Sequence, residues 1–525
     1  MKFTYSITLS GGAVISGARE LVPGENRIVE TLPVGKIQSV RATLPLVVAE
    51  DEAIFMNGYQ TWTACPERRR RDRIFAGIRR PKLLADHFGV DRYGDYHFVD
   101  YPNRPGVTHG ESWCYFRRGE RYRLFASLSE ENGYTLFRYD AAASLLTAER
   151  DCVGLRCGGE FAVFEIYVAE GTEDEVFDGW FDAMKLRPRT DRRLTGYSSW
   201  YNRYQDISEQ SIRDDLNGCA TLMERGELFQ IDDGWEPAVG DWLTADAKKF
   251  PHGMRDAADA IHAKGYLAGL WLAPFVCQKE SRIYREHPDW LLKHEGGDWY
   301  CGSNWGGFFA LDIDNAEFVD YLRRCFDRVL NDWGFDLLKL DFLYAAAPFG
   351  SEDESRAARM SRAVRLLREL CGDKLILGCG VPLMPAFGLV DYCRIGCDVG
   401  LDWKNNLIVR NANREVVSTR NSIGNTVFRR QLNGRAWLND PDVFFLRDDN
   451  LKLSEGQKRT LAEVNALFGG ILLCSDSMGE YDDNKRAYYN YLLRLRNAQD
   501  VRVESDGKRL CVCYTLDGTT HRIEV

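Results

Sequence analysis

The sequence predicts a (β/α)8 TIM barrel preceded by an N-terminal β-sandwich and followed by a small C-terminal β region. Three observations predict it. Across residues 1–185, short segments of alternating apolar and polar residues recur between Gly, Pro, Asn and Asp turns, the pattern of a sandwich. From about residue 190, eight apolar runs end in polar or acidic residues and alternate with Arg/Glu-rich amphipathic stretches. Such runs read as buried parallel strands with crossover helices. From about 483 the pattern returns to strand-like segments. The expected divisions are therefore 1–185, 186–482 and 483–525, in line with the roughly three domains that a chain of 525 residues suggests.

Taken in order, the sandwich segments begin with FTYSITLS, AVISG, RIVETL, SVRATLPLVV and AIFMNGYQTW. They continue with SWCYFRRG, YRLFASLS, GYTLFRY, LTAERD, GLRCGG and FAVFEIYVAEG. The pattern weakens over 66–95, where ERRRRDR reads as a solvated basic stretch. EDEVFDGWFDAMKLRP predicts a connecting helix. The eight barrel strands are LTGYSSWY, ELFQIDDGW, YLAGLWLAP, DLLKLDF, KLILGCG, YCRIGCD, AWLNDPD and GILLCSD. Helices between them include SIRDDLNGCATLMERG, MRDAADAIHAKG, AEFVDYLRRCFDRVLNDWG and ESRAARMSRAVRLLRELCG. Two intervals are irregular: about 60 residues separate WLAP from DLLKLDF, and only VPLMPAFGLVD separates strands five and six. RLCVCYTL and THRIEV predict the closing β region.

Composition narrows the function. Hydrophobic residues make up 45% and charged residues 28%, and the net charge is 68 − 78 = −10. This composition excludes fibrous and disordered classes. An acidic chain lacks the electrostatic footprint for nucleic acid or an anionic membrane, and a neutral polar substrate suits it better. No apolar leader region and no run of about 18 apolar residues occurs in the sequence. The 15 cysteines are scattered without a short framework, so reduced thiols in a cytoplasmic protein are expected.

In a barrel the chemistry gathers at the C-terminal strand ends, and here those ends carry carboxylates. Strand two ends in Asp232–Asp233, strand four in Asp341, strand six in Asp398, strand seven in Asp440–Pro441–Asp442 and strand eight in Asp476. A single Asp after a strand commonly turns the chain or caps the next helix. The set is more telling, because Trp200, Trp235 and Trp271 flank the first three strand ends. Carboxylates accept sugar hydroxyls, and a pyranose C–H face packs on an aromatic ring. Glycoside hydrolysis needs two carboxyl groups flanking the scissile bond, and Asp341 and Asp398 are placed to face each other across the barrel mouth. Lys339 and Arg394 precede them on the same strands. A nearby cation favours the ionised carboxylate that a nucleophile requires. Other chemistries have weaker support. The sequence has no G-x-S-x-G elbow, no P-loop and no strand-to-helix G-x-G-x-x-G. Cys379, Cys393 and Cys397 lack the paired spacing and histidine partner of a metal site, so no metal is expected.

At these residues the sequence resembles the α-galactosidases of glycoside hydrolase family 36, within clan D, and most of all their compact bacterial members. The matching segments are SSWYNRYQDIS, FQIDDGW, GDW with KKFPHGM, GLWLAPF, EHPDWLLK, LLKLDFLYA, LILGCGVPLMPAFG, RIGCDVG and AWLNDPDVFFLR, in order from about 197 to 447. NGYQTW at 57–62 resembles the part of the family's sandwich that reaches into the active site. The resemblance implies Asp341 as nucleophile, Asp398 as general acid/base, and Asp232 and Asp233 as ligands of the galactose O4 and O6. It also implies sugar contacts from Trp271, Lys339, Arg394, Tyr201 and Trp62, with Tyr59 an alternative to Trp62. Cys379 and Gly380 match the strand-five loop near C2 of the sugar. Two departures stand out: the strand-five segment GCGVPLMP lacks a longer Gly-rich stretch, and the C-terminal β region is short.

The resulting expectation is a cytoplasmic, retaining exo-α-galactosidase that acts on a small oligosaccharide or galactoside without a cofactor, with homo-oligomer formation left open. The rivals are an α-N-acetylgalactosaminidase, a galactosyl transferase of the raffinose-synthase kind, a metal-dependent barrel enzyme and a non-catalytic sugar-binding protein.

Overall fold

The computed structural model describes residues 1–74, 90–97, 99, 104–405, 414–505 and 510–525. The N-terminal strands form two antiparallel layers that share one 22-residue strand, Gly24–Pro45. Its first half pairs with Arg156–Gly171, and its second half lies between Lys2–Leu9 and Leu145–Asp151. The segments RIVETL and SVRATLPLVV are therefore one strand rather than two. Phe3 of one layer meets Phe164 of the other edge to face at 5.5 Å, and Phe116 meets Tyr139 at 5.3 Å. Of AIFMNGYQTW, only Ala53–Met56 is strand. Val107–Glu111, not anticipated from the sequence, forms an edge strand.

One layer is buried on both faces because its side chains alternate between two cores. Along Trp113–Arg118, Cys114 and Phe116 point into the sandwich, while Trp113 and Tyr115 join the core shared with the barrel. The helix Glu173–Ala183 packs there through Val176, Phe177, Trp180 and Phe181. Thr172 and Glu175 close its first turn as a reciprocal capping box. In the predicted basic stretch, Arg71 is exposed, but Glu67 is buried and takes a two-pronged pairing from Arg117. Residues 75–89 of that stretch lie outside the described residues.

The barrel strands run parallel in the expected order: Leu194–Ser198, Leu228–Ile231, Leu267–Leu272, Leu337–Leu340, Leu375–Gly378, Tyr392–Arg394, the seventh strand, and Ile471–Cys474. The seventh is broken. Leu438–Asp440 pairs with strand six and Val443–Phe444 with strand eight. Between them Pro441 has no N–H to donate, and Asp442 sits at φ 74°. The break closes the barrel between strands six and eight. The interval after strand three holds a three-stranded antiparallel sheet, Val276–Gln278, Tyr300–Gly302 and Phe308–Ala310, ahead of the helix Ala316–Asp327. Strands five and six are joined only by the 3-10 turn Met384–Ala386. The boundary expected at 482/483 falls at the N-cap of a helix, Asp483–Leu495, that packs on Glu455–Phe468. Three antiparallel strands follow from Gln499. Among the described residues no helix is long and apolar enough to cross a membrane.

Candidate active site

A cavity of about 620 Å³ opens at the C-terminal ends of the barrel strands. Asp232, Asp233, Trp271, Lys339, Asp341, Asp398 and Trp62 all line it. Even-numbered strands of such a barrel contribute side chains to common layers. Strands two, four and six accordingly bring Gln230, Lys339 and Arg394 inward beneath the mouth.

Asp341 is 7% exposed and firmly held. Its Oδ2 accepts from Trp271 Nε1 at 3.1 Å and its Oδ1 from the Phe342 backbone N–H at 2.8 Å. Phe342 itself adopts φ 53°, a strained conformation for an aromatic residue and one that tends to mark functional sites. Burial pushes the Asp341 carboxyl above its ordinary value. Lys339 opposes the rise, Asp398 adds to it, and hydrogen bonds from Cys379 and Trp271 pull it back. Lys339 lowers the Asp341 carboxyl as expected of a neighbouring cation, but desolvation outweighs it. The hydrogen bond of the lysine goes elsewhere, from Nζ to Asp232 Oδ2 at 2.9 Å.

Asp232 Oδ2 also accepts from Gln230 Nε2 at 2.9 Å, and its Oδ1 accepts the Asp233 N–H at 3.0 Å. Asp233 Oδ2 takes two donors, Gln205 Nε2 and Trp305 Nε1, both at 2.9 Å. Trp305 sits at φ 54° in the insertion after strand three. Behind Asp233, burial and then the aspartate's charge raise the Glu236 carboxyl well above the usual carboxylate range, and Glu236 Oε2 accepts the Gly234 N–H at 3.2 Å.

Asp398 lies four residues past strand six, and its side chain is 39% exposed. It pairs with Arg394 Nη2 at 3.0 Å. The same guanidinium pairs with Asp442 Oδ2 at 3.0 Å. Asp442 also accepts from Tyr201 Oη at 2.6 Å and from the Val399 N–H at 2.9 Å. Burial, partly offset by Arg394, pushes the Asp442 carboxyl up to about 6. Tyr201 and Arg394 are thus buried behind Asp398.

Trp62 reaches the cavity and Tyr59 does not. Tyr59 is buried against Tyr134 at 5.7 Å. The Trp62 segment is fastened by Arg429, which donates to Gly58 O, Gln60 O, Thr61 O, Ile395 O and Asn57 Oδ1 at 2.7–3.3 Å. The Thr61 N–H meets Val381 O at 3.1 Å. Gly380, at φ 56°, lies so close to Trp62 that a Cβ there would stand 2.8 Å from the ring. Cys379 is buried beside Asp341. Asp440 and Asp476 are held by the protein itself, the latter by Arg447 and by the Leu446 N–H. Among the described residues no group of three or more His, Cys, Asp or Glu is placed to hold a metal ion.

Sequence reasoning missed Trp305, Gln205, Phe342, Glu236, Asp442 as the partner of Arg394, and Arg429. Only Glu236 and Asp442 carried a signal, each being an acid close to a selected strand end.

Residues 184–367 match the family model described as Melibiase. The chain is similar to TtGalA, an α-galactosidase of Thermus thermophilus solved with p-nitrophenyl α-D-galactopyranoside. The identity is 26% and the TM-score 0.74, over 98% of each chain. Among curated proteins, Alpha-galactosidase Mel36A of Lactobacillus acidophilus is 30% identical over 151 residues, 27% of this chain. That match spans 20% of the relative's length. The GH36 α-galactosidase AgaA of Geobacillus stearothermophilus, solved with raffinose, shares the fold at 13% identity and TM-score 0.60, over 98% of this chain and 79% of its own.

Proposed function

The chain carries a melibiase domain over residues 184–367 and is a relative of the α-galactosidases of glycoside hydrolase family 36, and from that premise we propose that it is a retaining exo-α-galactosidase. One observation carries the reading. Asp341, buried and aimed by two N–H donors, shares a cavity with the more exposed, arginine-paired Asp398, beside the Asp232–Lys339 pair and Asp233.

In the proposed mechanism Asp341 attacks the anomeric carbon as the glycosidic C–O bond breaks. Asp398 gives its proton to the leaving oxygen, and the aglycone departs. Asp398, now a carboxylate, takes a proton from water as the water oxygen attacks the same carbon and releases Asp341. Two inversions give net retention. Asp232 and Asp233 receive the O4 and O6 hydroxyls, Trp271 supplies the stacking face, and Lys339 holds Asp232 in place through its hydrogen bond to Oδ2. Arg394 orients Asp398, and Tyr201 acts behind it through Asp442. Cys379 and Gly380 are assigned to the C2 side of the sugar, and the Trp62 ring packed against Gly380 supports the expectation that a hydroxyl is accepted there and an acetamide excluded. The 15 buried, unpaired cysteines suit a reducing cytoplasm.

The test is a panel of aryl α-glycosides with the first-released anomer followed by NMR. α-Galactose should appear first. α-Glucosides should be slower by roughly 10³, since the equatorial O4 of glucose forgoes the hydrogen bond to a buried carboxylate, and the acetamido sugar should also be slower. Release of β-galactose, or faster cleavage of the acetamido sugar, would overturn the respective part of the reading.

A further inference from the structure

The two ends of the cavity differ in chemistry. The end assigned to galactose is dense in charge, with Asp232, Asp233, Lys339 and Asp341 held by fixed donors and acceptors. The aglycone must leave past Asp398, because that carboxyl protonates the leaving oxygen; this step rests on the function proposed above. Part of the surface around Asp398 is hydrocarbon. Val416 and Val417 line the cavity together with Asp398, and the Ser418 N–H holds the Asp398 carbonyl at 3.2 Å. Trp200, also on the lining, packs edge to face with Tyr204 at 5.2 Å. Tyr204 is near enough for the Asp398 charge to act on its hydroxyl.

Exposure singles out the same residues. Among the described residues, nine large apolar side chains are exposed, and seven of them fall within residues 1–153. The other two are Tyr204, at 37%, and Val417, at 44%. Val417 lines the cavity with Asp398, and Tyr204 packs against the lining residue Trp200 within reach of the Asp398 charge. The polar groups nearby are turned toward the protein. Asn405 Nδ2 donates to Val417 O at 3.3 Å, and Glu415 Oε1 accepts from Thr63 Oγ1 at 2.7 Å and from the Asp95 N–H at 3.4 Å. A second hexose would bring hydroxyls that exchange water for few partners among the described residues, whereas a hydrocarbon group gains by leaving water.

We propose that the preferred substrates are α-galactosides of hydrophobic alcohols or phenols, whose aryl or alkyl group lies on Trp200, Tyr204, Val416 and Val417 beside Asp398. The position of this surface next to the acid/base makes the aglycone a source of both binding and rate. Apolar area covered in the transition state lowers the barrier when it is covered less well in free substrate.

The test compares kcat/KM for 2-phenylethyl α-D-galactoside and for melibiose, both of which release a primary alcohol, so that leaving-group acidity is matched. The phenylethyl galactoside should be preferred by about tenfold or more, as expected for burial of a ring-sized apolar surface. Val417→Asn should cut that ratio about threefold or more, since it puts an amide under the ring. Tyr204→Asn should move the ratio the same way, which guards against misfolding of either variant. Equal or better cleavage of melibiose overturns the proposal, as does an unchanged ratio in both folded variants. A protein that cleaves neither substrate removes the galactosidase reading itself, and this proposal with it.

Discussion

Asp341 and Asp398 face one cavity, yet they are held in opposite ways. Asp341 follows a regular strand, is 7% exposed, and has each oxygen fixed by an N–H donor. Asp398 sits on a connection, its side chain is 39% exposed, and it pairs with an arginine that it shares with Asp442. A group that must attack one carbon atom gains from fixed aim. A group that must give and regain a proton needs water access and an environment that tolerates both charge states. The contrast suits the division of roles proposed above, and each of the following experiments breaks or sharpens it.

The largest effect is expected on the fixed side. Asp341→Gly should lower kcat by roughly 10⁴-fold or more, the order seen when a covalent nucleophile is removed. Azide should then enter the vacated face and yield β-galactosyl azide. Retention of more than a few per cent of activity would show that Asp341 is not the nucleophile. On the open side, Asp398→Ala should cost alkyl galactosides roughly 10²- to 10⁴-fold, the usual range for general acid catalysis. Aryl galactosides with good leaving groups should lose far less. A loss that does not vary with leaving group would remove Asp398 from the acid role.

A paired comparison then measures how much aim matters on each side. Trp271→Phe removes the indole donor to Asp341, and hydrogen bonds to a charged group are worth about 1.5–3 kcal/mol, or roughly 10- to 150-fold in kcat/KM. Tyr201→Phe removes a donor to Asp442, one step behind Asp398, and should cost less. If Tyr201→Phe proves the more damaging of the two, Asp398 is the more tightly positioned carboxylate and the comparison is reversed.

The smallest effect is on stability. Glu415 lies on the barrel-side lining of the cavity and is tied to Thr63 and Asp95 of the N-terminal region. Burial and the Asp95 charge push its carboxyl from 4.5 up to about 8. The folded state therefore holds this proton where the unfolded chain has lost it, so stability falls as pH rises between about 4.5 and 8. Glu415→Gln should remove that slope. Its Tm relative to the parent should rise from pH 5 to pH 8 by a few degrees, as scanning calorimetry would show. A Tm difference that stays constant with pH would mean that Glu415 titrates normally in the folded protein.

Much of this was legible in the chain. Eight apolar runs ending in acids mark eight buried strands, because a parallel strand covered on both faces must be apolar until it emerges at the mouth. For the same reason Asp232, Asp341 and the Trp271 strand end announce themselves locally. Alternation along WCYFRR indicates a strand, but not that Trp113 and Tyr115 would leave the sandwich core for the barrel. That assignment depends on what packs against the second face.

By itself the sequence determined the barrel strands, their order and the acids at their ends, because continuous apolar runs alternating with amphipathic helices are local features of the chain. Only the tertiary structure decided who bonds to whom. Lys339 and Asp341 share a strand side, yet the ammonium bonds to Asp232 from another strand, since layers in a barrel are filled from alternate strands. Trp305 comes from an insertion and Trp62 from the N-terminal region, and no local pattern brings a tryptophan 72 residues away onto Asp233. Even the direction of the Asp341 shift was a tertiary matter. The neighbouring lysine is written in the sequence, but desolvation is set by everything that closes over the carboxyl.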